Sequence, residues 1–313
     1  MRREYFYFMV KQRGVALITV MLVLALATIL AVSMSSHQQI NIHRSSNVFN
    51  LEQAYEYISG AESWVQQILK RDKKNNASDS FKDDWAQPLP VLPIEGGSMS
   101  GQIEDLLGKF NINNLVLNGK PQKIELDRFN RLLRSLGLPQ ELSSGIIDWI
   151  DGDENVTFSG AEDNYYLNLS PAYRTANYVM QDVSELLLIQ GFDTDRYEKL
   201  RPFVCVLESG TNINVNTASA EILSSLSSSL TLDDAKNIVV DREKNIYKKI
   251  ADFLQQPLVS KAKITNNGLS VESDYFQLNS VAIIDRINVD YTTIFHRKNI
   301  DNVTVLKRSR GVI

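Results

Sequence analysis

Hydrophobic and polar positions along this chain fall into three regimes. The first is continuous. Residues 15–34 (VALITVMLVLALATILAVSM) are almost uninterrupted apolar side chains with no charge. About twenty such residues in a helix cross roughly 30 Å of hydrocarbon. The second regime is periodic. Between residues 37 and 72, apolar side chains recur every three or four positions, at Val48, Leu51, Tyr55, Ile58, Ala61, Trp64, Val65, Ile68 and Leu69. Glu52, Gln53, Glu56 and Gln66 take the opposite face. That spacing predicts an amphipathic helix continuing the membrane segment as a stalk. The third regime is mixed. Residues 73–84 are polar and read as a loop, and 85–93 are Pro-rich and irregular. Two short strands are expected at 98–103 and 109–117, punctuated by Gly101 and Gly108.

From residue 120 the pattern becomes helical, with helices expected over 126–136, 139–150, 183–190, 194–203, 219–226, 232–241 and 249–254. Pro139, Ser184 and Thr231 read as helix starts, and Gly137, Gly191 and Gly210 as breaks. After Ile264 alternation returns, giving strands at 270–285, 287–295 and 302–308. The expected organisation is therefore 1–14 leader, 15–36 transmembrane helix, 37–72 amphipathic spine, 73–119 loop and first strands, 120–258 helical insertion, and 259–313 closing strands. The fold class is α+β: a long helix packed on a small antiparallel sheet, with an all-helical domain inserted into that sheet.

Charge orients the apolar run. Arg2, Arg3, Lys11 and Arg13 precede it against one acid, Glu4. The positive-inside rule then places the N-terminus in the cytoplasm and the bulk of the chain across the membrane. A secretory signal peptide has a shorter apolar region followed by a small-residue cleavage site. Here the cleavable small residue, Gly14, comes first, so a cut there would leave the helix on the mature protein. This arrangement resembles type IV pilins and type II secretion pseudopilins, in which a prepilin peptidase cuts after a Gly that follows a basic leader. The resemblance implies a mature chain beginning at Val15; a plain uncleaved anchor is the other reading.

Pilin-like subunits generally carry Glu at the fifth mature position, where it neutralises a neighbour's terminal amine inside the apolar filament. A charge in such a core needs a partner. The fifth residue here is Thr19, which cannot offer that pairing, and this suits a special place such as the filament tip. Lack of this Glu is typical of K-type minor pseudopilins. The resemblance extends to GQIEDLLGKFNINNLV (101–116), DWIDGDENVTFSGAEDNYY (148–166), ELLLIQGFDTDRYEKLRPFV (185–204) and INVNTASAEIL (213–223), in family order. It implies a pilin-like fold and a non-enzymatic subunit that is single-pass in the bacterial inner membrane. It also implies a periplasmic bulk, a tip complex with other minor pseudopilins that starts pseudopilus assembly, and calcium in the helical domain. Partner spines are expected on the stripe 48–69, with Val48, Phe49, Leu51, Tyr55 and Ile58 as contact residues.

Composition narrows the alternatives. The 313 residues are 43% hydrophobic and 22% charged, with net charge −4; losing the leader's four bases and one acid leaves about −7. An acidic chain argues against nucleic acid as a partner. Cys205 is the only cysteine and lies in the apolar stretch PFVCVL, so it reads as a core residue and no internal disulfide is possible. An exported domain without disulfides needs a larger core or metal ions.

The acidic loop supplies a candidate for the latter. Asp151, Asp153, Asn155, Thr157, Ser159 and Glu162 fall at positions 1, 3, 5, 7, 9 and 12 of a calcium-loop template, with Phe158 as the apolar anchor. Two features depart from that template: position 6 is Val156 where Gly is usual, and the exiting segment is a poor helix. Asp163 adds another carboxylate. Carboxylates this dense repel unless a cation sits among them, and hard oxygen ligands favour calcium. The expected metal residues are Asp151, Asp153, Asn155, Glu162 and Asp163. The segment 213–254 resembles a helix-hairpin-helix, but its hairpin, residues 227–231, lacks the Gly that would present backbone N–H groups to phosphate. No catalytic constellation is evident. A membrane-anchored metal-dependent hydrolase and a DNA-binding uptake protein are the alternatives from other classes.

Overall fold

The computed structural model describes residues 15–311. A single helix, α1 (Val15–Asn75), runs for 61 residues. Membrane segment and stalk are one element because nothing between them breaks helical geometry: Gly60 lies on an open face and no Pro intervenes. Lys73 and Lys74 close its last turn, where cations favour the carbonyl end of the dipole. The 18-residue apolar window of α1 is unburied, and the amphipathic part packs on a sheet.

That sheet has five strands, each antiparallel to its neighbours, in the spatial order 89–94, 97–105, 275–284, 287–297 and 303–310. Its first hairpin is β1 (Leu89–Ile94) and β2 (Gly97–Asp105). Between β2 and the next strand of the sheet come β3 (Phe110–Asn111), β4 (Val116–Leu117), β5 (Lys120–Pro121), α2 (Lys123–Ser135), α3 (Leu142–Ile150), α4 (Asp163–Tyr166), α5 (Thr194–Leu200), β6 (Val204–Cys205), β7 (Ile213–Asn214), α6 (Ala220–Ser225), α7 (Leu232–Lys244), α8 (Ile250–Gln255), α9 (Pro257–Lys261) and β8 (Leu269–Ser270). The sheet then closes with β9 (Tyr275–Ile284), β10 (Ile287–Arg297) and β11 (Val303–Arg310). The outer strand β1 carries Pro90 and Pro93, which cannot donate to a further strand and so blunt that edge.

The spine and sheet share two apolar clusters. Ala54 and Ile58 meet Ala282, Ile284 and Val289. Ala61, Val65, Ile68 and Leu69 meet Trp85, Met99, Ile103, Phe276, Leu278 and Phe295. Two charged latches lie among them. Glu62, buried on α1, accepts from Arg308 Nη2 at 2.7 Å and from Thr293 Oγ1 at 2.7 Å. Arg297, fully buried on β10, donates to Asp72 at 2.9 Å, to Asp79 and to the Ser273 carbonyl at 2.7 Å. The residues that close the sheet thus also clamp it to the helix.

The inserted domain has its own core, running from Phe110 to Val271 and including Phe129, Trp149, Tyr166, Leu186, Val215, Ile222, Ile238 and Phe253. It therefore begins earlier and ends later than the expected 120–258. Phe110, Ile112, Leu115 and Val116, expected among the first sheet strands, are buried in the helical core; so are Val259, Ala262, Leu269 and Val271, expected with the closing strands. Asp105, at the end of β2, is the seam. Its Oδ2 accepts from Asn214 Nδ2 (3.0 Å), Thr217 Oγ1 (2.6 Å) and Ser273 Oγ (2.6 Å).

Three elements differ from expectation for identifiable reasons. Residues 109–117 are not one strand but β3 and β4 around a 3₁₀ turn, Ile112–Leu115. Asn111 Oδ1 accepts from the Asn113 and Leu207 amides, and Asn113 Nδ2 donates to the Met180 and Leu207 carbonyls; these side-chain bonds replace a ladder. The Pro-rich segment 85–93 contains β1. The helix expected over 183–190 is a 3₁₀ segment, Val183–Leu188, capped by Asp182 and not started by Ser184. Thr231 does cap α7 through a reciprocal box with Asp234. Gly137, Gly191 and Gly210 all hold positive φ, where a side chain would be strained.

Candidate functional site

The acidic loop hangs from α3. Asp148 and Asp151 stand one turn apart at that helix's C-terminal end, so both side chains face the loop that follows. The chain returns through Glu162, which precedes α4 in extended conformation (φ −124°, ψ −172°). Between them Asp148 draws the loop shut. Its carboxylate accepts from the Thr157 amide, 3.1 Å from Oδ2, and the Gly160 amide donates to the Thr157 carbonyl at 2.9 Å. A Cβ on Gly160 would overlap Asp148 Oδ2 and come within 2.6 Å of Thr157 Oγ1. A side chain there would force Asp148 or Thr157 to move. Ser159 turns the chain with φ +67°.

This folding brings two carboxylates into the interior with few donors. Asp151 is 5% exposed and Glu162 2%. Among the described residues neither Glu162 oxygen has a hydrogen-bond partner, nor does Asp151 Oδ1. The Thr175 hydroxyl beside them is spent on Asp163 Oδ1 at 3.2 Å. Burial, against a lowering contact from the Thr175 hydroxyl and with added repulsion from Asp148, Asp151 and Asp153, pushes the Glu162 carboxyl up to about 7. Burial, followed by repulsion from Asp153 and Asp148, pushes Asp151 up to about 6. A carboxylate held dry, unpaired and beside others is costly as an anion. A hard divalent cation with oxygen preference would remove that cost, so Asp151 and Glu162 fit a metal.

The remaining expected ligands are placed differently. Asp153 and Asn155 are exposed, and Asp153 Oδ1 accepts from the Asn155 amide at 2.7 Å. Asp163 is engaged elsewhere: Oδ1 accepts from the Thr175 amide at 3.0 Å and Oδ2 pairs with Arg174 at 2.8 Å. Thr157 turns to Asp148, and its hydroxyl reaches toward the Ser144 carbonyl at 3.5 Å. Phe158, expected as the anchor, is 93% exposed; the left-handed turn at Ser159 aims it outward. Asp148 was not anticipated as part of the site. Its signal was present: an Asp three residues before Asp151 on the same helix face.

The spine surface is the second candidate site. Thr19 Oγ1 donates to the Ala16 carbonyl of its own helix at 2.9 Å, and it presents no carboxylate. Of the five expected contact residues, Val48 and Phe49 are exposed, Phe49 at 67%. Ile58 is buried against Ala282, Ile284 and Val289, and Leu51 and Tyr55 are half-buried beside it. Tyr55 also meets Tyr291 edge-on, with centroids 5.9 Å apart, under Arg310. From Leu51 to Leu69 most of the stripe faces its own sheet, whereas Val48, Phe49 and Trp64 are exposed. Gly14 and the rest of the leader lie outside the described residues.

No other expected chemistry assembles among the described residues. His37 and His43 lie on α1 and His296 stacks on Tyr275 at 4.4 Å. Cys205 is buried, and burial pushes its thiol up to about 12, which leaves it inert.

Comparison with known proteins agrees with this architecture. Two family models described as type II secretion system (T2SS), protein K, match residues 108–209 and 213–272; together they cover the helical domain. Type II secretion system protein K of Pseudomonas aeruginosa is 35% identical, with 96% of this chain and 93% of that one covered. Its counterpart in Aeromonas hydrophila is 30% identical, covering 96% and 98%. Among solved structures, a chain of the GspK-GspI-GspJ complex from the enterotoxigenic Escherichia coli type 2 secretion system superposes with a TM-score of 0.78 at 27% identity, covering 86% of this chain and all of that one. A long spine helix on a five-stranded sheet, a helical domain inserted between β2 and β9, and near full-length identity above 30% lead to one assignment: this chain belongs to the type II secretion system protein K family.

Proposed function

We propose that this protein is a minor pseudopilin that caps the tip of the type II secretion pseudopilus and helps start its assembly. The observation that carries the proposal is the pairing of a charge-free apolar segment, residues 15–34, with a bulky inserted domain. The window around Thr19 has no carboxylate to receive a neighbour's terminal amine, so a subunit stacked above would leave that amine unpaired in an apolar core. A subunit with nothing above it has no such requirement. The domain whose core spans 110–271 widens the head beyond the sheet, as a cap can and a shaft subunit in a close-packed array cannot. The family is one of structural pseudopilins, and among the described residues one helix, near the N-terminus, is long and apolar enough for a single-pass anchor.

The proposal includes the remaining parts of that life history. Prepilin peptidase cuts between Gly14 and Val15, the N-terminus faces the cytoplasm of the inner membrane, and the bulk folds in the periplasm. Other minor pseudopilins are the partners; a solved relative forms a complex named for GspK, GspI and GspJ. Their spines meet this one along the unburied part of α1, with Val48 and Phe49 at its lower margin. Asp151 and Glu162 hold a structural calcium ion, with exposed Asp153 and Asn155 free to turn inward; Asp163 acts beside the site by tying Arg174 and Thr175. When bound, calcium supplies the positive charge that the dry carboxylates lack.

The test is the N-terminal sequence of protein purified from membranes with and without active prepilin peptidase, together with its partners. A start at Val15 that depends on the peptidase, and co-purification of other minor pseudopilins at substoichiometric amounts relative to the shaft subunit, are expected. An intact Met1 start under both conditions would remove the filament reading and favour an anchored hydrolase.

A further inference from the structure

The acidic loop is wired to the last strand of the sheet. Both halves of the loop end in aromatic residues that meet. Trp149 lies between Asp148 and Asp151 on α3, and Tyr166 follows Glu162 on α4; their rings pack edge to face with centroids 5.5 Å apart. Tyr173 completes the cluster, 5.3 Å from Tyr166 and 6.4 Å from Trp149. Each of the three then bonds the same short segment. Trp149 Nε1 donates to Glu185 Oε2 at 3.0 Å. Tyr173 Oη donates to the Leu188 carbonyl at 2.7 Å. Tyr166 Oη accepts from the Gln190 amide at 3.2 Å.

That segment is itself the clamp on β11. Glu185 Oε1 accepts from the Gln181 and Asp182 amides at 2.6 Å and 3.1 Å, closing a capping box. Asp182 Oδ2 in turn accepts from Lys307 Nζ at 2.5 Å, and the Gln181 carbonyl accepts from the same ammonium at 2.9 Å. Lys307 sits mid-strand on β11, opposite Ile294 of β10. The Glu185 carboxylate thus faces the metal loop through one oxygen and the sheet clamp through the other.

We infer that cation binding at the acidic loop is coupled, through Trp149, Glu185 and Asp182, to the seating of the helical domain on β11. The inference rests on the cation reading above. Trp149 and Glu185 are its positioning residues. Without a cation, repulsion among Asp148, Asp151, Asp153 and Glu162 loosens the turn that carries Trp149, and the indole no longer holds Glu185 in place. With a cation, α3 and α4 are drawn together, the aromatic cluster closes, and residues 181–185 present a formed cap to Lys307. The coupling is reciprocal, as any linkage between two sites must be: weakening the clamp weakens cation binding.

Hydrogen exchange on the full-length protein in detergent tests this, in calcium and in chelator. In the wild type, calcium slows exchange by roughly 5-fold or more across 182–190 and at 305–309, the low end of coupling between distinct sites. Trp149→Phe keeps an aromatic ring in the cluster but loses the indole donor and part of the ring volume; it retains calcium protection over 148–162 and loses it at 182–190 and 305–309. Lys307→Met, on a half-exposed edge position, preserves the fold if the tryptophan variant does not, and it weakens calcium binding by the same factor when measured by calorimetry. Protection confined to 148–162 in the wild type, or unchanged calcium affinity in Lys307→Met, overturns the coupling while leaving the cation site standing. No calcium effect at any segment overturns both.

Discussion

Replacing Glu162 with Gln should change the stability of this protein in opposite directions depending on calcium. The Glu162 carboxyl ordinarily titrates near 4.5 and is pushed to about 7 in the fold. Below pH 4.5 it is protonated whether folded or unfolded, and its burial costs no charge. As pH rises through about 7, the unfolded chain has released its proton while the folded chain must hold it or ionise a dry group. The metal-free protein therefore loses stability across that window. At 1.36 kcal/mol per pH unit the full shift would be worth roughly 3 kcal/mol, and solvent screening at a surface loop brings this to about 2 kcal/mol. Glu162→Gln removes the penalty, and its amide can donate to the neighbouring carboxylates. At pH 7.5 in chelator the variant should melt higher, by about 4–8 °C for a domain of this size. In calcium the order reverses. At a hundred times its dissociation constant a single bound ion adds about 2.7 kcal/mol, which the variant largely forgoes. Calorimetry or circular dichroism melts of both proteins, in chelator and in calcium, decide the matter. A variant that melts below wild type in chelator, or that gains as much from calcium, would refute the reasoning.

Three further perturbations address the rest of the fold. Gly160→Ala forces a methyl onto Asp148 Oδ2; urea unfolding should show a loss of about 1–3 kcal/mol, with calcium affinity falling in a separate titration. Arg297→Met strands Asp72 and Asp79 as buried unpaired anions and should cost about 3–5 kcal/mol, part of which Asp72→Asn restores in the double variant; equal stability of Arg297→Met and wild type would contradict the latch. Phe49→Asp should leave the melting temperature within about 0.5 kcal/mol equivalent yet reduce co-purification of partner pseudopilins, whereas Ile58→Asp buries a charge and should unfold the head. Similar behaviour of the two would mean the spine face is wrongly divided.

Periodicity made the long helix and the returning strands legible, because α1, β9, β10 and β11 each repeat one period over eight or more residues. It failed where side chains bond the backbone instead of following a period. Asn111 and Asn113 capture amides and carbonyls from residues about seventy to a hundred positions away, so 109–117 reads as a strand while folding as turns. The domain boundary was missed for a related reason: Phe110 and Leu115 are apolar in either core, and only long-range packing assigns them to the helical one. On the spine, the three-and-four spacing located the apolar face without saying what covers it. Ile58 faces the sheet and Phe49 faces outward, although both belong to one hydrophobic stretch. In the loop, template spacing singled out Asp151 and Glu162, which the fold buries, and Phe158 as an anchor, which it leaves exposed; the left-handed turn at Ser159 leaves no mark in hydropathy.

The two acidic clusters of this protein differ in how far their charge is met from within the fold. Asp72, Asp79 and Asp83 each offer an oxygen within 4.8 Å of the others, a density that alone would suggest a metal. Every one of them is served from within. Arg297 bonds Asp72 and Asp79, Asn76 donates to Asp72 at 2.7 Å and to Asp83 at 3.2 Å, and the Ser80 and Ser273 amides donate to Asp83 and Asp79 at 2.6 Å and 2.8 Å. A guanidinium is already the cation there, and an added ion would have to displace it. In the loop, by contrast, Glu162 keeps both oxygens and Asp151 one oxygen free of any donor among the described residues, and the nearby base, Arg174, is paired with Asp163. Chains of like charge are tolerated in a fold only when something neutralises them. Where the sequence supplies an arginine the cluster is a latch, and where it supplies none the proposed calcium ion would bring the balancing charge.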